Sequence, residues 1–176
     1  MQPPPPPPPP VSWQAPMEVT GPAPGVRFAG LGARFIAYLV DGFILSVLVI
    51  LATVVFFAVA AGVVSSSTTR DPSGAQVGAM VGGTLLYVAV ILVVSVAYFP
   101  WFWARGGQTP GMKMLHIRIV RDADGGPIGG GAALLRLIGY YVSGMAFYLG
   151  YLWVFVDRRR RGWHDLIAGT VVIESN

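Results

Sequence analysis

Asp41 is a carboxylate set in an apolar stretch, FIAYLVDGFILSV, with no charged neighbour closer than Arg34. A carboxylate in a membrane helix costs about 2.5–3.5 kcal/mol on insertion scales, so such a residue is a functional candidate by default. Arg34 precedes it by seven residues, nearly two turns, which puts both on nearly one helix face roughly 10 Å apart. Two chemistries fit. In one, Asp41 pairs with a cation such as Arg136 and fastens helices together. In the other, it binds an ion or a proton, with Arg34 or Arg136 tuning its acidity by charge. The candidate intramembrane charge site is therefore Asp41, Arg34 and Arg136.

Two further groups carry titratable chemistry. His164-Asp165 has the composition of a general-base pair, but no nucleophile motif lies near it, and a structural hydrogen bond is the expectation. Asp157 stands directly before Arg158, Arg159, Arg160 and Arg161, where an interfacial ion pair is expected. The two histidines are far apart and there is no cysteine. No metal site, cofactor or thiol chemistry is expected. His116 is expected to be packed or at the surface. Neither a phosphate-binding glycine loop, nor a hydrolase elbow, nor a zinc-protease motif is present, so no enzyme is expected.

The elements that must position these residues are those of a membrane protein. Hydrophobic residues make up 54% of the 176-residue chain and charged ones 11%, against about 25% charged in an ordinary soluble domain. Gly42 to Val64 and Val77 to Ala104 contain no charge, and each exceeds the roughly 20 residues that span a bilayer as a helix. Transmembrane helices are expected at about 36–63 and 77–103. Tyr98, Phe99, Trp101, Phe102 and Trp103 mark an interface, and Pro100 is expected to kink or end the helix there. A polar loop, SSSTTRDPSGAQ, joins the two spans.

A third apolar segment, about 134–156, is just long enough to span, and Gly144 and Gly150 lie within it. Lys and Arg mark cytoplasmic loops. Arg27 and Arg34 precede the first span, five basic residues fall between Arg105 and Arg136, and the 65–76 loop holds only Arg70. The N-terminus and central loop are thus expected inside a bacterial plasma membrane. The third segment is expected to enter and return through a break at its glycines, which keeps Arg158 to Arg161 on the same side; a full crossing is the alternative. Leu115, Ile117 and Ile119 alternate with His116, Arg118 and Val120, a strand signal. Thr170 to Ile173 offers a partner strand on that side, and Asp124-Gly125-Gly126 reads as a hairpin-type turn. The fold class is all-α integral membrane with a small cytoplasmic β element.

Residues 1–30 lack a signal-peptide core and open with prolines from Pro3 to Pro10, which favour extended polyproline II. A disordered tail is expected, either as a spacer or as a ligand for a proline-binding protein. Arg158, Arg159, Arg160 and Arg161 suit anionic lipid. Nucleic acid is not an expected partner.

Three stretches resemble the RDD family, named for an arginine and two aspartates. Arg34-Phe-Ile-Ala-Tyr-Leu-Val-Asp41 is similar to its first helix. The stretch from Gly107 through Gln108, Thr109, Pro110 and Gly111 to Val120 is similar to its GQTPG segment. Asp157 to Thr170, with His164-Asp165, is similar to its closing signature. The proline-rich start resembles actinobacterial proline-rich antigen-like members. The resemblance implies a small bacterial membrane protein with a suggested role in transport, and it assigns the arginine to Arg34 and the first aspartate to Asp41. The second aspartate is Asp157 or Asp165, the motif around Asp165 matching more closely. The functions expected are transport of a small ion or solute by a homo-oligomer or, alternatively, a membrane adaptor that recruits partners through the tail.

Overall fold

A computed structural model describes residues 21–23, 25–66 and 73–175. The proline run and the centre of the first interhelical loop lie outside those residues. So do the expectations placed on them.

Two long helices dominate. α1 (Leu31–Ser65) has 35 residues and α2 (Gly74–Gly106) has 33, each roughly 50 Å long at 1.5 Å per residue. Both overrun the expected spans at their ends. At the start of α2, Ser73 caps the helix: its hydroxyl accepts from the Gln76 amide at 3.3 Å, while the Gln76 side chain accepts from the Ser73 amide at 2.8 Å. Pro100 does not end α2. The helix runs on to Gly106 and stops at Gly107, which adopts the left-handed conformation (φ 66°). A side chain at Gly107 would also strike the Ile119 carbonyl, whose own amide donates to the Gly107 carbonyl at 2.8 Å. Along the spans, large apolar side chains such as Phe43, Val55 and Leu85 stay exposed, as hydrocarbon-facing surfaces do.

The core sits at one end of this helix pair. After α2 the chain forms a short helix, α3 (Pro110–Met114), and a strand, β1 (Ile117–Arg121). α4 (Gly130–Met145) and α5 (Leu149–Leu152) follow. A short helix, α6 (Trp163–Ala168), and a second strand, β2 (Thr170–Glu174), close the chain. β1 pairs antiparallel with β2, Ile119 opposite Val172. The expected strand pairing is present, but the Asp124-Gly125-Gly126 turn does not make a hairpin: the partner strand comes from the far end of the chain. His116 lies outside the strand, exposed and left-handed (φ 51°).

The boundary expected at residue 30 cuts through ordered chain. Phe28 bridges Ile173, the Ala29 amide donates to the Val172 carbonyl at 2.9 Å, and the Glu174 amide donates to Arg27 at 2.9 Å. Residues before α1 thus form a third, short edge of the sheet. Its two faces are both buried. Ile117, Ile119 and Val172 pack toward Trp103, Ala37 and Met112, whereas Val120 and Val171 pack against Phe28.

The third apolar segment is bent. α4 and the helical stretch Leu149–Phe155 meet at 111°. Because β1 precedes the segment and β2 follows it, their pairing returns the segment to the end from which it set out. The break is not at Gly144 or Gly150. It falls between them, at Phe147 and Tyr148, both left-handed. Gly150 serves close packing instead, since a side chain there would overlap Ser143.

Gly111 has the same use. A Cβ there would lie 2.3 Å from the Ala37 carbonyl of α1. Gly111→Ala is expected to destabilise the detergent-solubilised protein by about 1–3 kcal/mol, read from thermal unfolding. Gly78→Ala, where a Cβ meets nothing within 4 Å, is expected to leave the midpoint unchanged or raised.

Candidate functional site: two buried aspartates at the capped end

Each aspartate of interest is fixed by a different set of donors. Asp41, nearly three turns into α1, is 1% exposed. It accepts from the Gly111 amide at 2.8 Å, from the Tyr98 hydroxyl at 3.1 Å and from the Thr109 hydroxyl. Thr109 is itself placed by the start of α3. Its Oγ1 accepts from the Met112 amide at 3.2 Å as the helix cap, and Pro110 follows at the first helical position, where a missing amide proton costs nothing. Asp41 therefore satisfies its two oxygens with three protein donors. The expected pairing with Arg136 does not occur.

Arg136 and Arg34 both go to Asp165. Arg34 Nη1 donates to Asp165 Oδ2 at 3.0 Å, and Arg136 Nη1 donates to Oδ1 and, at 2.7 Å, to the Thr170 hydroxyl. The Gly162 amide adds a bond to Oδ2 at 3.1 Å. This works because Asp165 sits in the first turn of α6 and reaches back to the unpaired amide at the helix start. Close approach of α4 to α6 is needed as well. It is permitted by Gly139, where a Cβ would lie 2.5 Å from the His164 Cα. The Arg136 guanidinium also lies 5.2 Å above the Trp103 ring. Asp165 and Arg136 are essentially without solvent exposure, so each charge depends on its partner. Burial favours a protonated Asp165, but the charges of Arg136, His164 and Arg34 and the Gly162 amide outweigh it and hold the acid below its usual range.

His164 stacks on Tyr140 with ring centres 4.0 Å apart, and its Nε2 lies 3.5 Å from Asp165 Oδ2. Burial, assisted by Arg136 and Arg34 and opposed by Asp165, pushes its pKa down to about 3. It is neutral at physiological pH and stands as a wall of the site.

Asp157 is placed elsewhere. It accepts from the Arg159 and Arg161 amides and pairs with the Arg161 guanidinium at 3.0 Å. Side-chain and backbone bonds from Arg161 lower its pKa, against a smaller effect of burial. Asp122 takes Arg159 at 2.5 Å and Arg161 at 2.9 Å. Two of the four consecutive arginines are thus neutralised within the protein. Arg158 and Arg160 stay exposed. Gln108 works locally: its amide nitrogen donates to the Ile117 carbonyl at 2.9 Å.

Arg34, Asp41 and Arg136, the three residues expected to form one charge site, are separated into two bonding sets. They nonetheless line one small cavity of about 40 Å³, with Thr109 and Tyr140. Sequence reasoning passed over Tyr98, Tyr140 and Thr170. Tyr98 reads as an interfacial aromatic and Thr170 as a strand residue; only their helical or strand register against Asp41 and Asp165 would have marked them. Among the described residues no group of three or more His, Cys, Asp or Glu side chains is arranged to hold a metal ion.

The His164 environment has a pH signature. The unfolded histidine takes up a proton near pH 6.5, which the folded one refuses until about pH 3. Stability is complete above 6.5 and lost as pH falls below it, by about 1.4 kcal/mol per unit. Asp165 adds a loss in the same direction, but only below its ordinary pKa of 3.8. Between pH 7 and pH 5 the protein is expected to lose about 2 kcal/mol, and His164→Phe, which preserves the stack on Tyr140, is expected to flatten that slope in thermal unfolding.

A model of the RDD family matches residues 28–169. The chain is 30% identical over 147 residues to the uncharacterized protein YxaI of Bacillus subtilis (strain 168), covering 82% of this chain and 96% of that one. No solved structure matches. With its long apolar helices and a family match across most of its length, this chain is a membrane protein of the RDD family.

Proposed function

We propose that this protein moves a small ion or solute across the membrane as a homo-oligomer, with Asp41, Arg34 and Arg136 as its charged centre. The observation that carries the reading is the convergence of these three side chains, from α1 and α4, on one cavity of about 40 Å³. A space of that size suits a water molecule or a monatomic ion. The charges also balance: Arg34 and Arg136 face Asp165 and, across the cavity, Asp41. Arg34 Nε and Arg136 Nε are buried without a hydrogen-bond partner.

The oligomer follows from helix count. Two spans enclose no pathway by themselves, and their apolar faces are exposed nearly along their whole length. The pathway would form between protomers. In this reading the protein resides in the bacterial plasma membrane with its capped end and N-terminus in the cytoplasm. Eleven of the twelve Lys and Arg residues lie outside the 65–76 connection, which holds Arg70 alone, and that imbalance favours cytoplasmic placement of the cap. Exposed Arg158 and Arg160 would meet anionic headgroups there. No covalent chemistry is assigned to the site.

Flux of monovalent ions from proteoliposomes tests the proposal. Wild type is expected to conduct and Asp41→Asn to lose most of the flux while retaining its oligomer on size exclusion. Wild-type vesicles no leakier than empty ones, or an Asp41→Asn protein with undiminished flux, would overturn it.

A further inference from the structure

The small cavity at Asp41 has a much larger neighbour. A space of about 560 Å³ lies between α1, α2 and the bent segment. Four side chains line both: Tyr38, Phe99, Trp103 and Tyr140. Asp41, Arg34, Arg136, Thr109 and Met112 line only the smaller of the two. The shared lining is the partition between them, and every member of it is aromatic. A wall of ring faces resists water and hydrated ions as a hydrophobic constriction does.

The four rings are not held equally. Trp103 is buried between Phe99 and Tyr140, with ring centres 5.4 and 5.6 Å away, and lies under the Arg136 guanidinium. Tyr140 is fixed by Trp103 on one side and by His164 on the other. Phe99 is wedged among Trp103, Tyr98 and Tyr38. Tyr38 differs. Among the described residues its ring stacks on one other, Phe99, at 5.9 Å, and 55% of the residue is exposed. Exposed side chains change rotamer within picoseconds to nanoseconds. Tyr38 also stands three residues before Asp41, a spacing that makes the two neighbours on one helix face.

We propose that Tyr38 is the gate of the charged cavity. Its ring closes the partition when stacked on Phe99 and opens it by turning into the larger space. The other three rings stay in place as the frame and set the width of the opening. Tyr38 therefore decides the size of what reaches Asp41. As a selector of transported ions this role rests on the transport reading above. As a barrier to the Asp41 cavity it is measured without any flux.

The chain has no cysteine, so one introduced thiol reports on access. Met112→Cys places it in the small cavity. The full-length protein in nanodiscs is treated with aminoethyl methanethiosulfonate, a small reagent that arrives from water or from lipid, and adducts are followed by mass spectrometry. Adding Tyr38→Ala is expected to speed modification at least tenfold, and Tyr38→Val does the same should alanine lower the thermal midpoint. Tyr38→Phe, which keeps the ring, is expected to react at the parent rate. So is Tyr141→Ala, which enlarges the outer space without touching the partition. Val171→Cys, fully buried in the other core cluster, is expected to react no faster when Tyr38→Ala is added. An unchanged rate at Met112→Cys in both Tyr38→Ala and Tyr38→Val would overturn the gate. Equal acceleration by Tyr141→Ala, or at Val171→Cys, would overturn it too. In proteoliposomes Tyr38→Ala is expected to pass tetramethylammonium at least tenfold faster than wild type. Accelerated labelling with no ion flux from any variant would support the gate and overturn the transport reading alone.

Discussion

One carboxylate, Asp165, is shared by two guanidiniums in a place that water does not reach. Burial of an unpaired ion costs several kcal/mol, so none of the three can be moved without stranding the others. Arg34 belongs to the first long helix, Arg136 to the bent segment and Asp165 to the short helix that precedes the last strand. Bringing them together fixes how the bent segment and the sheet sit on the end of α1. The sheet then reinforces the same geometry. Its third edge comes from Arg27 to Ala29, immediately before α1, so both the side chains and the backbone of that segment bind to β2.

Asp41 fastens the other side of the cap. Three donors from α2, the α2–α3 connection and α3 converge on it, and the close contact of Gly111 with Ala37 leaves no room for a different arrangement. The two aspartates thus divide the work: Asp165 joins α1 to the C-terminal half, and Asp41 joins α1 to the central loop. Beyond this cap the long helices lack buried side chains over their apolar windows. Their stability rests on internal backbone bonds and on lipid, as it must where no water can satisfy the backbone.

Much of this was legible in the sequence because hydrocarbon imposes a long-range constraint. The charge-free runs set both spans, and the distribution of basic residues pointed to a third segment that turns back. The period-2 pattern at Ile117 and Ile119 and the β-branched run at Val171 and Val172 found a strand pair separated by a helical segment. What the sequence concealed depends on tertiary contact. Helical spacing placed Arg34 near the face of Asp41, but the bonding partner of each comes from segments more than a hundred and nearly seventy positions away, respectively. Phe147 and Tyr148 carry the bend in left-handed conformations that non-glycine residues adopt only under the pull of surrounding packing. The glycines that drew attention there serve close approach instead. Thr109 and Gly111 were marked by family resemblance alone, although a threonine before proline is itself a helix-start signal.

The central claim is that Arg34 is bound to Asp165 and not to Asp41. A double-mutant cycle in thermal or denaturant unfolding of the detergent-solubilised protein measures this directly. Arg34→Met combined with Asp165→Asn is expected to give a coupling of about 1–3 kcal/mol, and Arg34→Met combined with Asp41→Asn a coupling below about 0.5 kcal/mol. The reverse order, with strong coupling to Asp41 and none to Asp165, would contradict the arrangement described.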